Sequence, residues 1–215
     1  MFANLDGQRI MDAYDACRRV FLLTSQLKPR CKYASEKFEK VSAWSVGNHI
    51  EHTLAVNAQT VLILSSDTTS VDPGTIQPAG EHALKILESG CLTRGAAQAP
   101  DAVLPMMNNY VDLMDDCERN TSLLDGLTVI YRQIAADTAL HPHPTLGGLT
   151  KMQWLRFLEI HIQHHQKIIA DIIGHNPGEP AQSGDIPANI ARHIAPVAVP
   201  LSPRERADAG TPAAG

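Results

Sequence analysis

The segment Thr150 to Gly174, TKMQWLRFLEIHIQHHQKIIADIIG, constrains the fold more than any other. Thr150 and Gln153, three residues apart, form a capping-box pattern at its start, and Gly174 followed by Pro177 marks its stop. Trp154, Phe157, Leu158, His161, His165, Ile168, Ile169 and Ile172 recur at three and four residues and so share one helical face. A face of this length, apolar at both ends, has to be buried against other helices. Two imidazoles nevertheless stand in its middle, one turn apart. That spacing lets two ring nitrogens reach a single metal ion.

The rest of the chain supplies partners for such a helix. Residues 5–28 carry an apolar stripe through Ile10, Tyr14, Cys17, Val20, Phe21 and Leu27, and Lys28-Pro29 ends it. A polar connection, CKYASEKFEKVSA, leads to a second helix capped by Ser42 or Ser45 and running to about Leu64. This helix is apolar on more than one side and contains His49, Glu51 and His52. Residues 65–80 read as a loop rich in Ser, Thr, Pro and Gly, and 81–90 as a short helix. The irregular stretch GCLTRGAAQAPDAVLP, with Arg94-Gly95 inside it, precedes a third long helix read as one over 106–136, with Asn120 as the one place where it could break. ALHPHPTLGGL cannot be helical and leads into the last helix. No strand pattern stands out, so the expected fold is all-α: a four-helix bundle over residues 1–175 with an irregular insert between helices two and three. Seven prolines fall from Pro177 to Pro212, so 176–215 reads as a Pro/Ala-rich tail, disordered or loosely docked through Ile186, Ile190 and Ile194.

Charge and length narrow the function classes. A formal net charge of -5 and a pI near 6.0 give no electrostatic footprint for nucleic acid. No apolar run approaches the roughly 20 residues that span a bilayer. The N-terminus lacks a signal-peptide core, and Cys17, Cys31, Cys91 and Cys117 form no CxxC pair. Reduced thiols in a cytoplasmic protein are the expectation.

The histidines admit two readings. Each of His161 and His165 can be a core residue satisfied by hydrogen bonds, or both can be ligands to one ion. The second helix offers His49 and His52 as a third ligand. Three histidines with one open position make the arrangement of a catalytic zinc site, although nickel, iron or copper also suit nitrogen donors. Rival motifs fail: HExxH is absent, Glu159 has Ile162 rather than His three residues on, and axial haem ligands would come from facing helices. His141 and His143, beside prolines, read as structural, Glu51 as a surface residue, and Trp44 and Trp154 as core aromatics.

WSVGNHIEHT, TRGAAQAP and HPTLGGLTKMQWLRFLEIHIQHHQKII together resemble the DinB-like superfamily of four-helix metalloproteins, in a branch of unknown function. The resemblance runs from about Leu5 to Gly174. In that family one ligand histidine follows the Trp of helix two by two turns, and two more lie four apart in the last helix. The resemblance thus implies His52, His161 and His165 as metal ligands, with Trp44, Asn48, His49, Arg94 and His164 around the pocket or behind the ligands. It further implies a divalent metal, zinc or nickel, a low-molecular-weight thiol or water activated against a small electrophile, a small-molecule substrate and a homodimer. Characterised relatives are thiol-dependent S-transferases and metal-dependent hydrolases. The competing expectation is a non-catalytic stress or interaction protein with a structural metal or none.

Overall fold

The computed structural model describes residues 7–66, 76–95, 98–106 and 110–175. They form α1 (Gly7–Ser25), α2 (Val46–Ser65), α3 (Glu81–Ser89), α4 (Tyr110–Ala136), β1 (His141–His143), β2 (Gly147–Leu149) and α5 (Lys151–Gly174). Single 3-10 turns occupy Lys28–Tyr33 and Asp101–Val103. α1 and α2 each pack against both α4 and α5, which makes the four long helices a bundle in which α2 neighbours α5. The tail, with its Ile186, Ile190 and Ile194 stripe, lies outside the described residues.

The helix ends follow from local chemistry. The Thr150 side chain accepts from the Gln153 N–H at 3.3 Å, and Gln153 Oε1 accepts from the Thr150 N–H at 2.9 Å, which closes the expected capping box of α5. Ser45 rather than Ser42 caps α2, and Asn48 completes a second capping box there. Each cap satisfies N–H groups that a helix start otherwise leaves without partners.

The core falls into two apolar clusters along α5. One gathers Trp154, Leu155, Phe157, Leu158 and Ile162 with Cys17, Val20, Leu64, Leu124 and Leu127. The other gathers Ile168, Ile169 and Ile172 with Leu27, Cys31, Val46, Ile50, Leu54, Leu113 and Cys117. Between them lies a polar level: Asn57 Nδ2 donates to Thr24 Oγ1 at 3.0 Å and to Asn120 Oδ1 at 2.9 Å, and Asn120 Nδ2 donates to the Leu54 carbonyl. Gln166 Nε2 donates to the Leu23 carbonyl at 2.6 Å. α4 therefore runs unbroken through Asn120, whose side chain bonds across the bundle instead of competing with its own backbone. The cysteines are thiols. Cys31 and Cys117 meet in the second cluster with their sulfurs 3.6 Å apart, and burial pushes the Cys17 thiol up to about 12.

The lead-in to α5 corrects the strand-free expectation. β1 and β2 pair antiparallel, with His141 opposite Leu149, and Gly148 bridges on to Pro78. The Gly148 N–H donates to the Gln77 carbonyl at 2.7 Å, and a Cβ on Gly148 would stand 2.6 Å from Ile76 Cγ2. Two successive glycines thus permit the strand-on-strand approach that a proline-rich segment would not otherwise form. Below it, Lys151 Nζ lies 3.0 Å from Asp137 Oδ2 and donates to the Ser66 carbonyl at 2.7 Å, tying the ends of α2, α4 and α5 together.

Burial pushes the Asp137 carboxyl up, but bonds from Lys151, the Ala139 N–H and His141 outweigh it and hold the group below its ordinary 3.8. Stability from this site is therefore complete at neutral pH and is lost as pH falls through the folded-state value. Both side chains are buried, so Lys151→Met strands a carboxylate and should cost about 3 kcal/mol in urea unfolding at pH 7. Thr150→Ala should cost about 1 kcal/mol. The gap between wild type and Lys151→Met should narrow below pH 4; a gap that is constant with pH would contradict this account.

Candidate metal centre

α2 and α5 bring three imidazoles to one point between the two apolar clusters. His52 Nε2 lies 3.1 Å from His161 Nε2, and His165 Nε2 lies 3.2 Å from His161 Nε2. The three rings are 5%, 7% and 7% exposed, and their donor atoms lie within 4.8 Å of one another. A tetrahedral ion with metal–nitrogen bonds of about 2.0–2.1 Å places its ligand nitrogens roughly 3.3 Å apart, close to the two separations measured from His161 Nε2.

Hydrogen bonds on the opposite ring nitrogens decide which atoms carry protons. His52 Nδ1 stands 2.7 Å from the Val103 carbonyl, so Nδ1 holds the proton and Nε2 keeps its lone pair. His165 Nδ1 stands 3.0 Å from His49 Nδ1, and His49 Nε2 stands 2.9 Å from Ser42 Oγ. A consistent chain follows: His165 donates from Nδ1 to His49, and His49 donates from Nε2 to Ser42 Oγ. Ser42 Oγ also accepts from the Trp44 N–H at 3.1 Å. His49 therefore sits behind His165, not beside the three converging nitrogens.

In that pattern the Nε2 lone pairs of His52 and His165 point at His161 Nε2. One neutral imidazole can donate one proton from that atom, to one neighbour only, so protons alone leave at least one contact unsatisfied. A cation at the centre satisfies all three. His161 Nδ1 is buried with no hydrogen-bond partner among the described residues, a cost that an ion at Nε2 does not relieve.

Burial is the first cause holding all of these rings neutral. It pushes His161 and His165 well below the ordinary 6.5, with nearby histidines adding to the effect, and lowers His52, partly offset by its bond to Val103. His49 is lowered to about 4, first by burial and then by His52, His164 and Arg94. Neutral imidazole is the form that ligates a metal.

The surrounding residues are placed as follows. Trp44 is not a core aromatic: it is half-buried, with its ring 5.3 Å from His49, 5.1 Å from His52 and stacked 6.4 Å from His165. Asn48 is spent on the α2 cap and does not face the cluster's nitrogens. Arg94 pairs with Asp171 at 2.5 Å, and half-buried His164 lies edge-on to His165 at 5.1 Å. His141 is buried in β1, and the His143 ring packs on Trp154 and Phe157, so neither joins the cluster. Glu51 accepts from the Met106 N–H at 2.8 Å. Sequence reasoning missed Ser42 and Val103 as partners of the site, and no pattern short of the fold identifies a backbone carbonyl 51 residues away.

Residues 78–171 match the model of a family described as a protein of unknown function (DUF1569). The match takes in His161 and His165 and stops short of α2 and His52. No curated protein and no solved structure matches the chain.

Replacing His161 by an apolar residue of similar size removes both the lone-pair conflict and the orphaned Nδ1. Metal-free His161→Leu should therefore unfold at a higher temperature than metal-free wild type, by the equivalent of about 1–3 kcal/mol. A lower midpoint would mean that protons alone satisfy the cluster.

Proposed function

We propose that this chain is a metal-dependent enzyme in which His52, His161 and His165 hold one divalent ion, zinc or nickel. The observation that carries the reading is the convergence of three buried imidazoles, with the Nε2 atoms of His52 and His165 3.1 and 3.2 Å from His161 Nε2 and all three donor atoms within 4.8 Å of one another. An all-nitrogen donor set suits these two ions. The resemblance to the DinB-like superfamily, with its thiol-dependent transferases and hydrolases, points the same way.

His49 favours a catalytic over a structural site. A structural ion is closed by a fourth protein ligand, whereas a catalytic one keeps a position for water or substrate. His49, the nearest further imidazole, meets the outer nitrogen of His165 and so orients a ligand instead of closing the site. A divalent ion held this way lowers the pKa of a thiol or water that reaches it and polarises an oxygen of a substrate. The chain itself fixes the geometry. Val103 holds the His52 tautomer, Ser42 and His49 hold His165, and Trp44 covers the flank of the His52 and His165 rings. We infer a low-molecular-weight thiol, or water, as nucleophile and a small electrophile as its target.

Protein purified without an affinity tag should contain about one divalent ion per chain by elemental analysis. His52→Ala and His161→Ala should each lower that content about tenfold or more while the helical circular dichroism persists. Adding a small thiol to the cobalt-loaded protein should produce a sulfur-to-metal charge-transfer band. Stoichiometric metal in both variants would remove the ligand assignment; a thiol-insensitive spectrum that still responds to azide would leave water as the nucleophile, and a spectrum insensitive to both would make the site structural.

A further inference from the structure

A second feature adjoins the histidines. Residues 90–94, just after α3, lie against α5 and leave a cleft of about 80 Å3 lined by Gly90, Cys91, Leu92 and Arg94 on one side and by Ile160, His164 and Lys167 on the other. That volume holds several waters, and so a group of a few heavy atoms.

Its charge is one-sided. Arg94 reaches Asp171 through one nitrogen, Nη2, and a guanidinium has five N–H donors to distribute. Lys167 is exposed and has no ion-pair partner among the described residues. The two cations and one carboxylate leave a surplus positive charge at the rim. Both cations act on the His164 ring, which also bonds to the backbone of Leu92. At Gly90 a Cβ would stand 2.7 Å from Arg156 Nη2, so the missing side chain admits a third cation to this edge. Glu159 pairs with Arg156 from the other side at 3.2 Å.

We propose that this cleft is a subsite for the anionic group, a carboxylate or a phosphate, of a small molecule. Arg94 supplies the planar fork that matches either group, and Lys167 supplies a mobile point charge. His164 connects the cleft to His165, with their rings 5.1 Å apart, so an anion here lies beside the histidine cluster. Anion binding stands on the cleft alone; that the same molecule also reaches His52, His161 and His165 rests on the metal reading above.

The test uses inorganic phosphate and succinate as probes, titrated at ionic strength matched with chloride, while the backbone amide signals of residues 91–94 are followed by NMR. Either probe should give saturable shifts there, and the tighter one names the group. Arg94→Gln with Lys167→Gln should weaken binding about tenfold or more. Lys167→Glu, which leaves the Arg94–Asp171 pair in place, should weaken it comparably. Both variants should keep the wild-type metal content, and His161→Ala should keep the anion shifts even if it loses metal. Shifts no larger than chloride gives, or shifts unchanged by both charge variants, would overturn the proposal whatever the metal content proves to be.

Discussion

A lone pair buried in an apolar bundle has to meet a proton or a cation, and this structure turns on three that meet each other. The outward-facing nitrogen of His52 is held by a carbonyl acceptor, which commits its inward-facing atom to the shared centre, and the outward-facing nitrogen of His165 pairs with His49. The bundle thus carries a local conflict that an ion bound there would resolve, linking folding to metal binding. Side chains that look incidental in the sequence, Ser42 above all, acquire a role because they fix which nitrogen is free.

α5 was largely legible because its signals are local. Its capping residues and its three- and four-residue periodicity depend only on neighbours in sequence, and so does the pairing of His161 with His165. α1, α2 and α4 were legible for the same reason, although Asn120 suggested a break where the structure has a buried side-chain bond. The β1–β2 pair was not legible: two three-residue strands of HPH and GGL carry no alternation, and the approach of residues 76–79 to β2 depends on the absence of side chains at Gly147 and Gly148. An aromatic ahead of a helix looks the same whether it enters the core or covers a cluster of rings, so the residues alone read Trp44 as core while the family resemblance put it beside the pocket, where its ring stands. Lys151 opposite Asp137 left no trace in the sequence, since both read as ordinary charged residues at helix ends.

The segment between α3 and α4 links the parts. Val103 from this segment fixes the His52 tautomer, Leu92 bonds to the His164 ring, and Arg94 reaches across to Asp171 of α5. An irregular stretch with little secondary structure of its own thus contacts both helices that supply the imidazoles. Loops positioned by a rigid scaffold are where binding residues concentrate, and here the helices supply the three histidines while the loop sets the orientation of His52. The family match begins before α3 and runs into α5, so it spans this loop together with two of the three histidines.

X-ray absorption at the metal edge of the zinc- or nickel-loaded protein tests the central claim most directly. The account predicts one ion per chain with three imidazole rings in its scattering shell, at nitrogen distances of about 2.0–2.1 Å for zinc. A shell of oxygen atoms without imidazole scattering, or an ion that dissociates on simple dialysis, would contradict it.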